Sequence, residues 1–269
     1  MRHSARSGAF AYGYFIQLAA HCIMKTNPPD NQVAKQHAAL DQERERLHRR
    51  ILNPVAHDLK TPLACIIGSL EIYQRSKEKL SPLNQENLLA TALQEAYRLD
   101  DLISNILDMA RFEANAAPAV KKSCEMNQLV EDSRTSLGHR LNHCELNIKT
   151  VPGGFTVTTD PELLVRAIAC ILDNAAKYGP ARPVIGIAYE TASEQVVIRI
   201  QDNGPGIPES KLEEIFSKYT RFIPPGHPFA GTGLGLPICR EIMRLLGGTV
   251  TAANLADGKG AVFTLAFAA

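Results

Sequence analysis

Asp202-Asn203-Gly204-Pro205-Gly206-Ile207-Pro208 is the stretch on which the fold turns. A β-rich run over 195–201 leads into it, so Asp202 stands where a strand gives way to a loop. Gly204 and Gly206 permit unusual dihedrals and let the backbone come close to a ligand. A carboxylate at this point can accept a hydrogen bond from the amino group of an adenine. An Asn-Gly turn taken alone fits a plain loop equally well, so the surrounding residues must decide.

Downstream, Gly231-Thr232-Gly233-Leu234-Gly235-Leu236 opens a helical run over 236–246 that Gly247-Gly248 ends. Glycines before a helix let backbone amides face phosphate oxygens, and the helix N-terminus adds partial positive charge. No Gly-Lys-Ser/Thr follows, so this is not a Walker loop. It lacks G-x-G-x-x-G and a preceding strand, so it is not a Rossmann fingerprint. The stretch 222–230, with Pro224-Pro225-Gly226 and Pro228, reads as a mobile lid.

Upstream, Asp160-Pro161 is a helix start, with an N-capping carboxylate and proline at the first helical position. The helix it opens reaches about Tyr178 and places Ala167, Cys170, Asn174, Lys177 and Tyr178 on one face. Asn174 offers an oxygen to Mg²⁺, a hard ion that takes few protein ligands and shares phosphate oxygens. Lys177 can neutralise a phosphate. By itself such a row is also what an exposed polar helix face looks like.

The remaining pattern frames these segments. A helix is expected over 127–141, strands over 145–151 and 155–158, a hairpin from 184–189 and 195–201, and two last strands over 249–254 and 261–267 around Asp257-Gly258. Helices interleaved with antiparallel strands imply an α+β sandwich with a mixed, mostly antiparallel sheet and helices on one face.

The first half has a different rhythm. Asn27-Pro28-Pro29-Asp30 is a break. Residues 32–76 are helix-compatible, 77–84 read as a turn, and a second long helix is expected over 85–114. Leu88, Ala92, Leu99, Leu102, Ile106 and Met109, with Glu95 among them, form a heptad seam on it. Two such helices make an antiparallel hairpin, and two hairpins make a four-helix bundle, hence an expected homodimer. The alternative is that the seam packs only on helix one of its own chain. Asn115-Ala116-Ala117-Pro118 reads as a linker. The expected division is an N-terminal segment 1–30, a helical domain 31–116 and an α/β domain 117–269.

On the first helix, Ala56-His57-Asp58-Leu59-Lys60-Thr61-Pro62-Leu63 combines an imidazole, an adjacent acid and a hydroxyl one turn on. Histidine is mostly neutral at pH 7, and a neutral ring nitrogen can attack phosphorus. Asp58 can accept from the other ring nitrogen and fix the tautomer. Neighbours in a helix point about 100° apart, so this help depends on how the ring turns. Pro62 removes a helical amide and predicts a bend.

Composition narrows the classes. The 269 residues are 45% hydrophobic and 21% charged, with net charge +1 and no Trp. No basic patch suggests nucleic acid. Six scattered cysteines without a C-x-x-C pair favour reduced thiols in a cytoplasmic setting. His139, His143 and Cys144 have metal-like spacing but no further ligand cluster. Residues 9–24 are apolar but short of a bilayer span; they read as an amphipathic or docking helix, with membrane contact left open.

Taken in order, these stretches resemble the catalytic core of sensor histidine kinases. Residues 56–63 resemble the family's histidine box, 171–178 its asparagine box, 202–206 and 231–236 its two glycine boxes, and 215–222 its phenylalanine box. The second half resembles the ATP-binding fold shared with gyrase, the ninety-kilodalton chaperone and mismatch-repair ATPases. The resemblance implies a phospho-acceptor at His57, aided by Asp58, and a part for Thr61 in dephosphorylating a partner response regulator. It implies ATP and Mg²⁺ as cofactors. Asn174 would be the metal ligand, with Lys177 and Tyr178 on ATP and Asp202 and Gly204 to Gly206 at the adenine. Arg221 would approach the terminal phosphates, Gly231, Gly233 and Gly235 would shape the lid hinge, and Thr232 and Leu234 would lie with them at the nucleotide. The family often carries a second Asn where this chain has Cys170, a poor ligand for a hard cation. The expected activity is ATP-dependent autophosphorylation of His57 and transfer to a receiver-domain aspartate. The alternative is a non-catalytic, ATP-binding dimeric adaptor.

Overall fold

The computed structural model describes residues 56–113, 118–151, 153–192, 194–220, 232–256 and 258–268. The expectations for 1–30, the start of the first helix, the linker at 115–118 apart from Pro118, the lid at 222–230, and Arg221, Gly231 and Asp257 lie outside these residues. Residues 56–76 are helical (α1). The second helix, α2, spans Pro82–Glu113 and begins three residues before its expected start. The turn between them is closed by Gln85, whose side-chain amide donates to the carbonyls of Lys77 and Leu80, and by Ser81, whose hydroxyl accepts from the amide of Asn84. Helix α1 runs through Pro62, a buried residue.

The seam read on α2 is covered within the chain. Ala92, Leu102 and Met109 are buried, and Leu88, Glu95, Leu99 and Ile106 are partly buried. Met109, with Ile106 and Phe112, joins the core of the α/β portion. The apolar residues left at the surface are a different set: Leu63, Ile67 and Leu70 on α1, and Leu89, Leu93, Ile103 and Leu107 on α2. Their steps, of four and three on α1 and of four, ten and four on α2, keep each set on one side of its helix. The unmet apolar surface therefore lies one row away from the seam read in the sequence.

The α/β portion runs β1 (Lys122–Glu125), α3 (Met126–Leu137), a 3₁₀ turn (Gly138–Leu141), β2 (Glu145–Lys149), β3 (Thr156–Thr159), α4 (Pro161–Tyr178), β4 (Val184–Ala192), β5 (Gln195–Asp202), α5 (Gly235–Leu245), β6 (Thr249–Asn254) and β7 (Ala261–Ala268). Five strands form one sheet in the order β2-β4-β5-β7-β6, and β1 pairs with β3 in a small second sheet. Only β2 and β4 are parallel; the other pairs are antiparallel. Residues 138–141, expected as helix, instead tighten into the 3₁₀ turn at Gly138, whose φ is +50°. Strand β1, not read in the sequence, forms because Thr156–Thr159 offers it a partner.

The core lies between the sheet and helices α3, α4 and α5, which pack on one another and on one sheet face. Strand β5 alternates strictly: Val196, Ile198 and Ile200 are buried and Gln195, Arg199 and Gln201 are exposed. Its buried row faces Phe267, Leu265 and Phe263 of β7, each side chain adding roughly 1.5–3 kcal/mol of burial. The period of two continues to Asp202, so its carboxyl emerges on the helix-covered face. Helix α4 starts as expected: the Asp160 carboxylate accepts from the amide of Leu163 at 3.2 Å, with Pro161 at the first helical position. A second oxygen of Asp160 accepts from the amide of Val120 at 2.7 Å, which ties the entry of this portion to the helix. Residues Asp58–Ala269 make one compact unit.

Candidate functional site

A cleft with about 970 Å³ of empty space, part of it open to solvent, lies between α4, the end of β5 and the start of α5. Its wall brings together Cys170, Asn174, Lys177 and Tyr178 from α4, Asp202 and Gly206 from the β5 exit, and Thr232, Gly233 and Gly235 from the second glycine stretch. Three distant stretches of sequence thus share one surface. Not every expected residue reaches it. Ala167 is wholly buried in the core. Gly204 turns the loop beneath the wall, where its amide donates to Asp202 Oδ1 at 2.8 Å. Leu234, expected at the nucleotide, is 1% exposed and packs in the core. It precedes the amphipathic α5, and its side chain anchors that helix from below.

Asp202 is buried, and its Oδ1 accepts a second amide, from Ala261 at 3.2 Å. Burial pushes this carboxyl above its ordinary 3.8, while the two amides pull the other way. Oδ1 being committed to protein amides, Oδ2 is the atom that can accept from a ligand. The loop beyond Asp202 is held by a residue that sequence reading missed. Asn254, at the end of β6, accepts from the amide of Ile207 at 2.7 Å and donates to its carbonyl at 2.6 Å. Gly206, at φ +74°, leaves little room for a Cβ: it would lie 3.1 Å from Asn254 Oδ1 and 3.2 Å from the Gly258 carbonyl. Asn203 closes the loop's near side by accepting from the amide of Val184 at 2.9 Å.

The glycine stretch before α5 is held by the phenylalanine-containing segment. Phe216 is buried edge-on to Phe263, with the Arg240 guanidinium 4.3 Å above its ring. It seats the following turn, whose Tyr219 amide donates to the Gly233 carbonyl at 3.0 Å. Gly233 has φ +69°, and a Cβ there would lie 2.8 Å from the Thr220 carbonyl. At Gly235, the first residue of α5, a Cβ would meet no protein atom. Its lack of a side chain keeps the cleft open at the helix N-terminus, where amides favour anions.

On α4, Lys177 Nζ lies 2.6 Å from Asp173 Oδ2. Cys170 is buried, and desolvation pushes its thiol up to about 11, so it is neutral. A neutral thiol is no ligand for Mg²⁺. Asn174 offers a neutral side-chain oxygen from that helix to the cleft, whose wall also includes a lysine and a helix N-terminus. This donor set fits a magnesium–nucleotide. On α1, His57 and Thr61 are exposed and Asp58 is half-buried. Among the described residues no cluster of three or more metal-ligating side chains occurs; His139 packs instead against the Tyr97 ring, centroids 4.9 Å apart. None of the described helices is long and apolar enough to cross a membrane.

Two family models match this arrangement. The phospho-acceptor domain, His Kinase A, matches residues 47–115, and the histidine kinase-, DNA gyrase B- and HSP90-like ATPase matches residues 159–269. The chain belongs to the sensor histidine kinases. Among curated relatives of this family, it is 31% identical to sensor protein KdpD of Escherichia coli (strain K12) over 86% of this chain and 25% of that protein. It is 31% identical to adaptive-response sensory kinase SasA of Synechococcus sp. (strain JA-3-3Ab), over 86% of this chain and 64% of that protein. The chain therefore spans a quarter of KdpD and somewhat under two thirds of SasA. Histidine kinase ThkA, solved in complex with response regulator protein TrrA, shares the fold with TM-score 0.61 at 21% identity, over 90% of this chain and 68% of that one. Acinetobacter baumannii histidine kinase AdeS does so with TM-score 0.58 at 22% identity, over 79% and 97%. A helical phospho-acceptor region followed by an ATP-binding α/β domain is the family's architecture and this chain's.

Proposed function

We propose that the chain is the catalytic core of an ATP-dependent protein histidine kinase. It takes the terminal phosphoryl group of ATP onto His57 and passes it to an aspartate of a response-regulator receiver domain. A ring nitrogen of His57 forms the new bond to phosphorus while the bond to the leaving oxygen of ADP breaks. The proton on the other ring nitrogen passes toward Asp58 or solvent. Asp202 accepts from the adenine amino group, Gly206 lets the backbone lie against the base, and Tyr178 flanks the nucleotide. Lys177, Thr232, Gly233 and the amides at the start of α5 meet the phosphates, together with Arg221 and Gly231. Mg²⁺, held through Asn174, supplies charge neutralisation at the phosphate oxygens.

The observation that carries this reading is the meeting of Asn174, Lys177, Asp202 and Gly235 in one cleft, in a chain that also bears a phospho-acceptor domain. The working unit is a homodimer built on the exposed stripes of α1 and α2, with 31–116 as the dimerisation and acceptor domain and 117–269 as the catalytic domain. Its setting is cytoplasmic. Incubation with γ-labelled ATP and Mg²⁺ tests the reading. Wild type acquires acid-labile, alkali-stable label and His57→Gln does not; label that persists in the variant removes His57 as the acceptor.

Cys170 favours one second reading, an adaptor that binds ATP without catalysis. A buried neutral thiol replaces a polar side chain in the cleft wall. ATP binding with no labelling of wild type, at any Mg²⁺ concentration, is the result that selects it.

A further inference from the structure

The lysine of the cleft belongs to a chain of four alternating charges that leads away from it. Lys177 Nζ lies 2.6 Å from Asp173 Oδ2. The other oxygen of Asp173 is 3.4 Å from Arg140 Nη1. The same Nη1 lies closer, at 2.9 Å, to Asp101 Oδ2 on α2. Lys177 and Asp173 belong to α4, Arg140 to the 3₁₀ turn, and Asp101 to the helix that carries the dimerisation stripe. All four side chains are partly exposed, between 20% and 40%, so they can exchange partners without an uncompensated buried charge.

A second clamp holds the same two bodies. Arg166 of α4 lies 3.1 Å from Asp108 and donates to Asn105 Oδ1 at 2.8 Å. Asn105 and Asp101 are on one face of α2 by their spacing of four. Two arginines thus join the ATP-binding fold to α2 beside the apolar contacts of Ile106, Met109 and Phe112, and among the described residues it is the Arg140 clamp that is linked, through Asp173, to the cleft lysine.

Arg140 Nη1 carries two hydrogens and donates to both carboxylates, with the shorter bond to Asp101 and the longer to Asp173. While Asp101 takes the shorter bond, the main partner of Asp173 is Lys177, 2.6 Å away. When α2 withdraws, Arg140 loses Asp101 and closes on Asp173. Asp173 then needs Lys177 less, and the ammonium is released to the nucleotide. We infer that Arg140 is a positioning residue that couples the seat of the domain on α2 to the availability of Lys177, through the shared carboxylate of Asp173. The inference rests on the reading that Lys177 faces the phosphates of ATP.

The full chain is titrated with a fluorescent, non-hydrolysable ATP analogue in Mg²⁺. Asp101→Asn leaves Arg140 for Asp173 and tightens binding by about three- to fivefold, the range of a partly exposed ion pair. Arg140→Gln leaves Asp173 to Lys177 alone and weakens binding by a similar factor. In an Asp173→Asn background neither change matters, because the relay is cut at its centre. Arg140→Gln that weakens binding equally with and without Asp173 overturns the relay, as does Asp101→Asn that leaves affinity unchanged. Lys177→Ala separates the two ideas: unchanged affinity in that variant sinks the phosphate reading itself, whereas a loss there with no effect at Asp101 sinks only the relay.

Discussion

Asn254 holds Ile207 by both of its backbone polar groups, accepting from the amide at 2.7 Å and donating to the carbonyl at 2.6 Å. The pair spans from the end of β6 to the loop that leaves β5, and it sets the floor on which a base would lie. Asn254→Ala deletes both bonds and leaves two partly buried backbone groups to find water. We expect a loss of about 1–3 kcal/mol of stability and a clear fall in ATP affinity, read by denaturation and by analogue titration. Unchanged affinity would show that the loop holds its shape without the clamp.

The two glycines flanking Leu234 make opposite predictions. Gly233→Ala forces a side chain into φ +69° and against the Thr220 carbonyl. It costs about 1–2 kcal/mol in backbone strain alone and disturbs the Tyr219–Gly233 hydrogen bond. Gly235→Ala meets no protein atom and lowers the entropy of the unfolded chain, so stability rises by up to about 1 kcal/mol. Its methyl group projects into the cleft, and ATP affinity falls. Thermal melts of the two variants should move in opposite directions while both bind ATP more weakly.

The carboxyl of Asp202 makes a prediction about pH. Burial raises it above the ordinary 3.8, so the folded chain binds its proton more tightly than the unfolded chain does. The resulting stabilisation is full below the ordinary value and is lost as pH rises through the folded one. Asp202→Asn removes that dependence. The difference in unfolding free energy between wild type and variant should therefore shift against wild type as pH rises from the ordinary 3.8 through the folded value. A difference that stays flat over this range would mean that burial does not govern the group.

The exposed stripes predict where the dimer can be broken. Ile67 is 49% and Leu93 55% exposed in the single chain. Ile67→Asp combined with Leu93→Asp places charge in the proposed four-helix seam, where an unpaired charge is costly. Sedimentation should show monomers with the α/β portion still folded. Dimers that persist would move the interface elsewhere.

Thr61 lies one turn beyond His57 on α1 and is exposed. Thr61→Ala should slow dephosphorylation of the phosphorylated regulator while His57 labelling proceeds at the wild-type rate. Equal dephosphorylation by both proteins excludes a role for this hydroxyl.

What the sequence disclosed depended on whether the signal was local. Asp160-Pro161 marks a helix start by chemistry confined to a few residues, and the cap is where it was expected. The alternation of β5 is local too, and it places Asp202. Strand β1 carries no alternation of its own and exists through its pairing with β3, which no short window contains. The parallel pairing of β2 with β4 is likewise a property of the assembled sheet. Leu234 stands between glycines of the cleft, yet its own apolar side chain is buried in the core. The line Asp101–Arg140–Asp173–Lys177 joins residues from three elements, and none of their sequence separations announces it. On α2 two apolar rows lie side by side, and only packing tells which one the chain itself covers.

The alternation of β5 has one more consequence. Val196, Ile198, Ile200 and Asp202 occupy one face at steps of two, so the carboxyl is addressed to the cleft by parity. Gain or loss of a single residue between Gln195 and Asp202 would preserve a strand able to pair with both neighbours, yet would turn the carboxyl to the opposite face. Length variation along this strand is then tolerable only in pairs. Lineages carrying this fold should show their indels beyond its ends, in the turn around Glu194 or past Pro208, and odd changes within it should accompany loss of nucleotide binding.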